Sequence, residues 1–136
     1  MKFKTLSGRE ISKSVYKYRV DWGKKERSQF QTDVKLFLQP YIRSHIVYAE
    51  FPCFGTRLKL DLYDATTNIA YEIQGEQHRK YNKFFSGGSR AKYFRSLQND
   101  GSKSKWCEIN NIKLIEIYPE DSLDRESFME KFEVYL

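Results

Sequence analysis

The chain has 136 residues and a mass of 16.3 kDa, and is 40% hydrophobic and 31% charged with seven Gly and three Pro. That length suits one domain around one core, and the composition excludes a disordered or collagen-like chain. No apolar run approaches the roughly 20 residues that cross a bilayer, and Met1-Lys2-Phe3-Lys4 lacks the apolar stretch of a secretion signal, so a cytoplasmic protein is expected.

The net charge of +6 is unevenly spread: +6 over residues 1–27, −2 over 28–78, +7 over 79–105 and −5 over 106–136. Both basic stretches are interleaved with aromatics, the first through Tyr16, Tyr18 and Trp22 and the second through Tyr81, Phe84, Phe85 and Tyr93. Phosphate neutralisation beside stacking surfaces has this composition, which points to nucleic acid; an anionic membrane surface or two solvated faces would fit the charge as well. Cys53 and Cys107 lack Cys-x-x-Cys spacing, fit a reducing compartment and read as small buried residues.

In chain order, residues 1–22 show no clean period and read as a basic N-terminal arm with one short helix, leaving 23–136 as the folded domain. Phe30, Val34, Phe37, Leu38 and Tyr41 recur at helical spacing and predict a helix over 25–39, with Pro40 announcing its end. A strand at 46–49 follows. The alternation of 57–63 places Leu58, Leu60 and Leu62 on one face and Asp61 on the other. A polar turn at 64–68 leads into a second alternating run, 69–74, and the two form a hairpin. Helical spacing resumes from Tyr93 toward Cys107 with a stop at Asn110-Asn111. A strand at 112–118 ends at Pro119, and Asp121 or Ser122 caps a last helix with Phe128, Phe132 and Tyr135 on its face. Helix, three strands, helix, strand, helix predicts an α/β fold with a mixed sheet flanked by helices.

The hairpin carries the chemistry. A turn centred on Thr66-Thr67 sets Asp61 opposite Glu72, with Cβ atoms ~5 Å apart and Gln74 on the same face. Two opposed carboxylates repel unless a cation lies between them, and Mg²⁺ is held by such oxygen pairs; the alternative is an ordinary ion pair with Lys59 or another surface base. Glu26 is either catalytic or a first-turn acid stabilised by the helix dipole. His78 is a general acid or base, or a solvated loop side chain. Asp100 supports His78 or pairs with Lys103 one turn on, and Trp106 reads as core.

The run 70–78 (AYEIQGEQH), preceded by Leu60-Asp61-Leu62-Tyr63, resembles the core of the PD-(D/E)xK nuclease superfamily. Within it, the chain resembles the small branch related to very-short-patch mismatch-repair endonucleases and similar homing endonucleases. Glu26, Asp61, His78 and Asp100 match that branch's ordered Glu, Asp, His, Asp signature, and Asp100-x-x-Lys103-x-x-Trp106 extends the likeness over 24–118. The resemblance implies a restriction-endonuclease-like core and Mg²⁺- or Mn²⁺-dependent hydrolysis of double-stranded DNA, with Asp61 and Glu72 holding the metal. His78 would move the proton, positioned by Asp100 or Glu26, and Lys103 would balance charge on the phosphate. Lys13, Lys17, Arg19, Lys24, Lys25, Arg79, Lys80, Lys83, Arg90, Lys92 and Arg95 would follow the DNA backbone. A free-standing homing or mobile-element endonuclease in a bacterial or phage-infected cell is expected, with a mismatch- or branched-DNA nicking enzyme as the alternative and a homodimer if both strands are cut.

The sequence departs from the superfamily at two places: Leu60 stands where Pro is usual, and Gln74 stands where the wider superfamily has Lys. A neutral amide supplies no positive charge. Either His78 and Lys103 fill that role, or cleavage has decayed and the fold serves as a DNA-binding module. No cysteine cluster for a structural zinc is present.

Overall fold

The apolar stripe Val34, Leu38 and Ile42 forms α1, Gln29–Ile42, in a computed structural model that describes residues 1–75 and 101–136. The helix starts later than its apolar spacing predicts because Ser28 is its N-cap: extended at φ −113°, it accepts the Gln31 N–H on its side chain at 3.1 Å. It also outruns Pro40. The carbonyl that loses an N–H partner belongs to Leu36, whose side chain is exposed, so water can replace the missing bond.

Strands β1 (Lys2–Lys4) and β2 (Glu10–Ser12) form a small antiparallel sheet. The main sheet contains β3 (Val47–Pro52), β4 (Lys59–Asp64), β5 (Ile69–Ile73) and β6 (Lys113–Ile117) in that spatial order. The first two neighbouring pairs are antiparallel and β5–β6 is parallel, which makes the sheet mixed. The β4–β5 register, Leu62 with Tyr71, Tyr63 with Ala70 and Asp64 with Ile69, centres the turn on Thr66-Thr67 as the alternation requires. Buried Asp64 closes that turn by accepting the Thr66 and Thr67 N–H groups, while Asn68 takes the left-handed conformation at φ 57°.

Helices flank this sheet. Val34, Leu38 and Ile42 of α1 meet Val47, Leu62, Tyr71, Ile115 and Ile117 in one apolar cluster, together with Phe128 of a helix α3 (Arg125–Phe132). A second cluster gathers Trp106 and Cys107, from a helix α2 described over 101–109, with Phe51, Leu60, Tyr63 and Ala70. Phe3 and Val15 belong to this cluster and Arg19 bridges to Tyr48, so the stretch expected as an arm is built into the body. Its short helix is the single 3-10 turn Tyr16–Tyr18.

Two local expectations are corrected. Leu58 and Leu60 join the second cluster but Leu62 the first, because the β3–β4 ladder skips the Glu50–Asp61 pair and Glu50 sits at φ 47°, which breaks the pleat. The α3 cap is Asp124, which accepts the Ser127 N–H at 2.9 Å; Asp121 instead accepts the Tyr118 N–H and pairs with Lys131, and Tyr135 lies past the helix, exposed.

Phe128 packs on Phe132 of its own helix at 4.7 Å and joins α3 to α1 through Phe37 at 5.2 Å and to β5 through Tyr71 at 6.3 Å. Phe128→Ala is expected to cost about 3–5 kcal/mol of unfolding free energy, measured as a lower urea midpoint with an unchanged slope. Among the described residues no helix is long and apolar enough to cross a membrane.

Candidate active site

Continuing the β4–β5 register by one residue sets Asp61 opposite Glu72, but the ladder ends at Leu62–Tyr71. Beyond it, carboxylates take two of the main-chain N–H groups. Asp61 N–H donates to Glu72 Oε1 and Ile73 N–H donates to Asp61 Oδ2, each at 2.8 Å. The two acids thus hold each other's strand in place, and this reciprocal arrangement fixes both side chains.

Lys103 arrives from α2. Trp106 and Cys107 press α2 onto the sheet, and the Trp106 indole N–H donates to the Phe54 carbonyl at 3.0 Å. Residues three and four apart share a helix face, so Lys103 points toward the same surface. Its Nζ lies 2.8 Å from Glu72 Oε2. Glu72 pairs with this lysine rather than with Lys59.

Burial sets the electrostatics. It pushes the Glu72 carboxyl up to about 7, reinforced by the Asp61 charge and opposed by the Lys103 ammonium. Asp61 is raised too, first by burial, against the Ile73 N–H and Lys103 and with help from the charges of Glu26 and Glu50. Burial works against the Lys103 ammonium, but Glu72 and Asp61 outweigh it and raise its pKa. The site therefore holds two carboxyls and a lysine that stays charged at neutral pH.

Asp61 also lines an open cleft of about 490 Å³. Across it stand Lys24, Lys25, Glu26 and Arg27 from the segment before α1, and Glu50 lines it beside Asp61. Glu50 is held left-handed within a strand, a conformation that costs a residue with a Cβ about 1–3 kcal/mol and gathers at functional sites. The cleft thus combines an acidic group around Asp61 with a basic wall.

No family model, curated protein or solved structure matches this chain. The structure brings together Asp61, Glu72 and Lys103, with Glu26, Lys24 and Lys25 at the cleft. Glu26 precedes the Ser28 cap, so the first turn of α1 contains no acid and the helix-dipole role is excluded; its Oε1 instead accepts from Lys35 at 3.1 Å. Gln74 is buried and continues the strand pairing, its N–H donating to the Ile117 carbonyl. Lys13, Lys17 and Arg19 are exposed and lie outside the cleft lining. His78, Asp100, Arg79, Lys80, Lys83, Arg90, Lys92 and Arg95 lie outside the described residues.

Three residues escaped the sequence reading: Glu50, Arg27 and Lys35. Extending the predicted strand through Glu50-Phe51-Pro52 would have set Glu50 across from Asp61, and Lys35 sits beside Val34 and Leu38 on the apolar stripe of α1, an unusual place for a lysine. Among the described residues no three His, Cys, Asp or Glu side chains are grouped to hold a metal. Asp61 Oδ1 has no hydrogen-bond partner among the described residues, whereas both Glu72 oxygens are engaged.

Proposed function

We propose that the protein is a Mg²⁺-dependent endonuclease of PD-(D/E)xK type that hydrolyses phosphodiester bonds in double-stranded DNA. The observation that carries this reading is the Lys103 ammonium on Glu72 Oε2 beside Asp61, which restores from a helix the positive charge that Gln74 does not supply. The donor set fits a hard divalent ion, since Mg²⁺ or Mn²⁺ takes one or two carboxylates and completes its shell with water and phosphate oxygens. Asp61 and Glu72 would hold it. Bound there, it supplies Lewis acidity toward a phosphoryl oxygen and lowers the pKa of water.

The chain's own residues supply the remainder. Lys103, charged at neutral pH, neither takes nor gives the proton and acts by balancing negative charge that grows on the phosphate. His78, with Asp100 or Glu26 positioning it, is the proposed proton-transfer group. Lys24, Lys25 and Arg27 would neutralise phosphates flanking the one at Asp61, with Lys13, Lys17, Arg19 and the basic 79–95 stretch extending the contact. A free-standing homing or mobile-element enzyme working in the cytoplasm of a bacterial or phage-infected cell fits this reading, as does a mismatch- or branched-DNA nickase. A homodimer is needed only for a two-strand cut.

A second reading is favoured by the two oxygens of Glu72 being already engaged and by the absence of a three-residue metal group among the described residues: a DNA-binding module of nuclease fold that no longer cuts. Conversion of supercoiled plasmid to nicked or linear DNA in Mg²⁺ and not in EDTA separates the two.

Both readings share the basic wall, and its effect on binding is calculable. Replacing Lys24, Lys25 and Arg27 together by Gln should flatten the slope of log K against log salt by about 2–3, given a loss of about 0.9 per phosphate contact. An unchanged slope in a filter-binding titration would remove the wall from the DNA interface.

A further inference from the structure

Among the described residues Lys35 is the only buried lysine, and neither reading of the site uses it. An ammonium has three N–H donors and no acceptor. Lys35 Nζ places them on the Asp21 carbonyl at 2.6 Å, the Lys24 carbonyl at 3.0 Å and Glu26 Oε1 at 3.1 Å. All three acceptors belong to the segment that forms the basic wall of the cleft.

Besides this lysine, Trp22 packs against the core cluster of α1 and α3, but past it residues 23–27 have few anchors. Upstream, Val20 N–H donates to the Val47 carbonyl on β3; downstream, Ser28 caps α1. Between them, every other hydrogen bond among the described residues is local: Gly23 N–H to Asp21 Oδ1 and Lys24 N–H to the Asp21 carbonyl. Lys35 projects from α1, which Val34, Leu38 and Ile42 anchor in the core, so its ammonium ties a polar segment to a rigid support.

We infer that Lys35 is a positioning residue that fastens the 21–27 wall over the cleft, setting Glu26 beside Asp61 and Lys24, Lys25 and Arg27 where DNA phosphates pass. The phosphate part of this role rests on the DNA-binding reading proposed above; the fastening does not. Convergence of three donors on one segment is a geometric demand, so charge alone does not satisfy it. A guanidinium spreads its donors over a planar fork and cannot aim three of them from one nitrogen.

The test compares wild type, Lys35→Met and Lys35→Arg in the full chain by hydrogen exchange and by affinity for a duplex of roughly 20 base pairs. In Lys35→Met, exchange across 21–27 should accelerate at least about tenfold while strands β4 and β6 keep wild-type protection, and the duplex should bind about tenfold more weakly. Lys35→Arg should give an intermediate loss of about threefold in both readouts. If Lys35→Met does not fold, Lys35→Arg decides alone by the same local pattern. Wild-type exchange in 21–27, a loss of protection spread evenly over the sheet, or Lys35→Arg equal to wild type overturns the inference. A wild type that binds the duplex without cutting it defeats the nuclease reading and leaves this comparison intact.

Discussion

Asp61→Asn is expected to lower Mg²⁺-dependent plasmid cleavage by about a thousandfold, with DNA affinity unchanged or higher because a negative charge facing phosphate is removed. Glu72→Gln should lose cleavage to a similar extent and gain stability. The Glu72 carboxyl titrates at about 7 in the folded protein, above its value of 4.5 in the unfolded chain. Between those two values the folded state binds more protons than the unfolded state, so ionisation of Glu72 removes stability as pH rises through this window. A glutamine does not ionise. Thermal midpoints of Glu72→Gln and wild type should therefore lie close together at pH 5 and separate in favour of the variant at pH 8. A variant that cuts at the wild-type rate, or that is less stable than wild type at pH 8 by as much as at pH 5, would contradict the account.

Lys103→Met should reduce the cleavage rate by about a hundredfold to a thousandfold, the range seen when one preorganised charge-stabilising group is lost. It should also move the pH profile. The Lys103 ammonium holds the Glu72 pKa down against burial and the Asp61 charge, so without it the carboxyl ionises at a higher pH and the acid limb of the rate profile shifts alkaline. Stability should fall more at pH 8, where Glu72 would be buried and charged without its partner, than at pH 5, where it is protonated. Gln74→Lys in the wild-type background should bring no gain, because Glu72 Oε2 already carries an ammonium and position 74 is buried. A strong activation by Gln74→Lys would instead identify the natural chain as a decayed nuclease.

Features written in short-range pattern were legible before the structure. The hairpin register, and with it the opposition of Asp61 and Glu72, follows from alternation on both sides of a short turn centred on Thr66-Thr67: a one-residue slip would turn Leu62 or Tyr71 out of the core, and the turn length fixes the rest. The mixed sheet with flanking helices followed from element order. Features that depend on tertiary contact were not legible. Phe3 and Val15 are single apolar residues in a polar stretch, and only the core they enter reveals them as anchors. The alternation of Leu58, Leu60 and Leu62 looked regular, yet the twist at Glu50 sends them to opposite faces. At the site, Lys103 was visible as a candidate because it follows Asp100 by three residues. Lys35 on the apolar stripe of α1 and Glu50 near the end of its strand left only positional hints, and the three bonds of the one and the left-handed backbone of the other depend on tertiary contact.

The central claim is that Asp61, Glu72 and Lys103 form one catalytic group, and parallel plasmid cleavage by wild type, Asp61→Asn and Lys103→Met in Mg²⁺ and in EDTA tests it most directly. The account predicts nicking or linearisation by the wild type in Mg²⁺ alone, with rates lower by about a thousandfold for Asp61→Asn and by about a hundredfold to a thousandfold for Lys103→Met. Binding of the plasmid by all three without cutting by any of them, or equal cutting by all three, would contradict it.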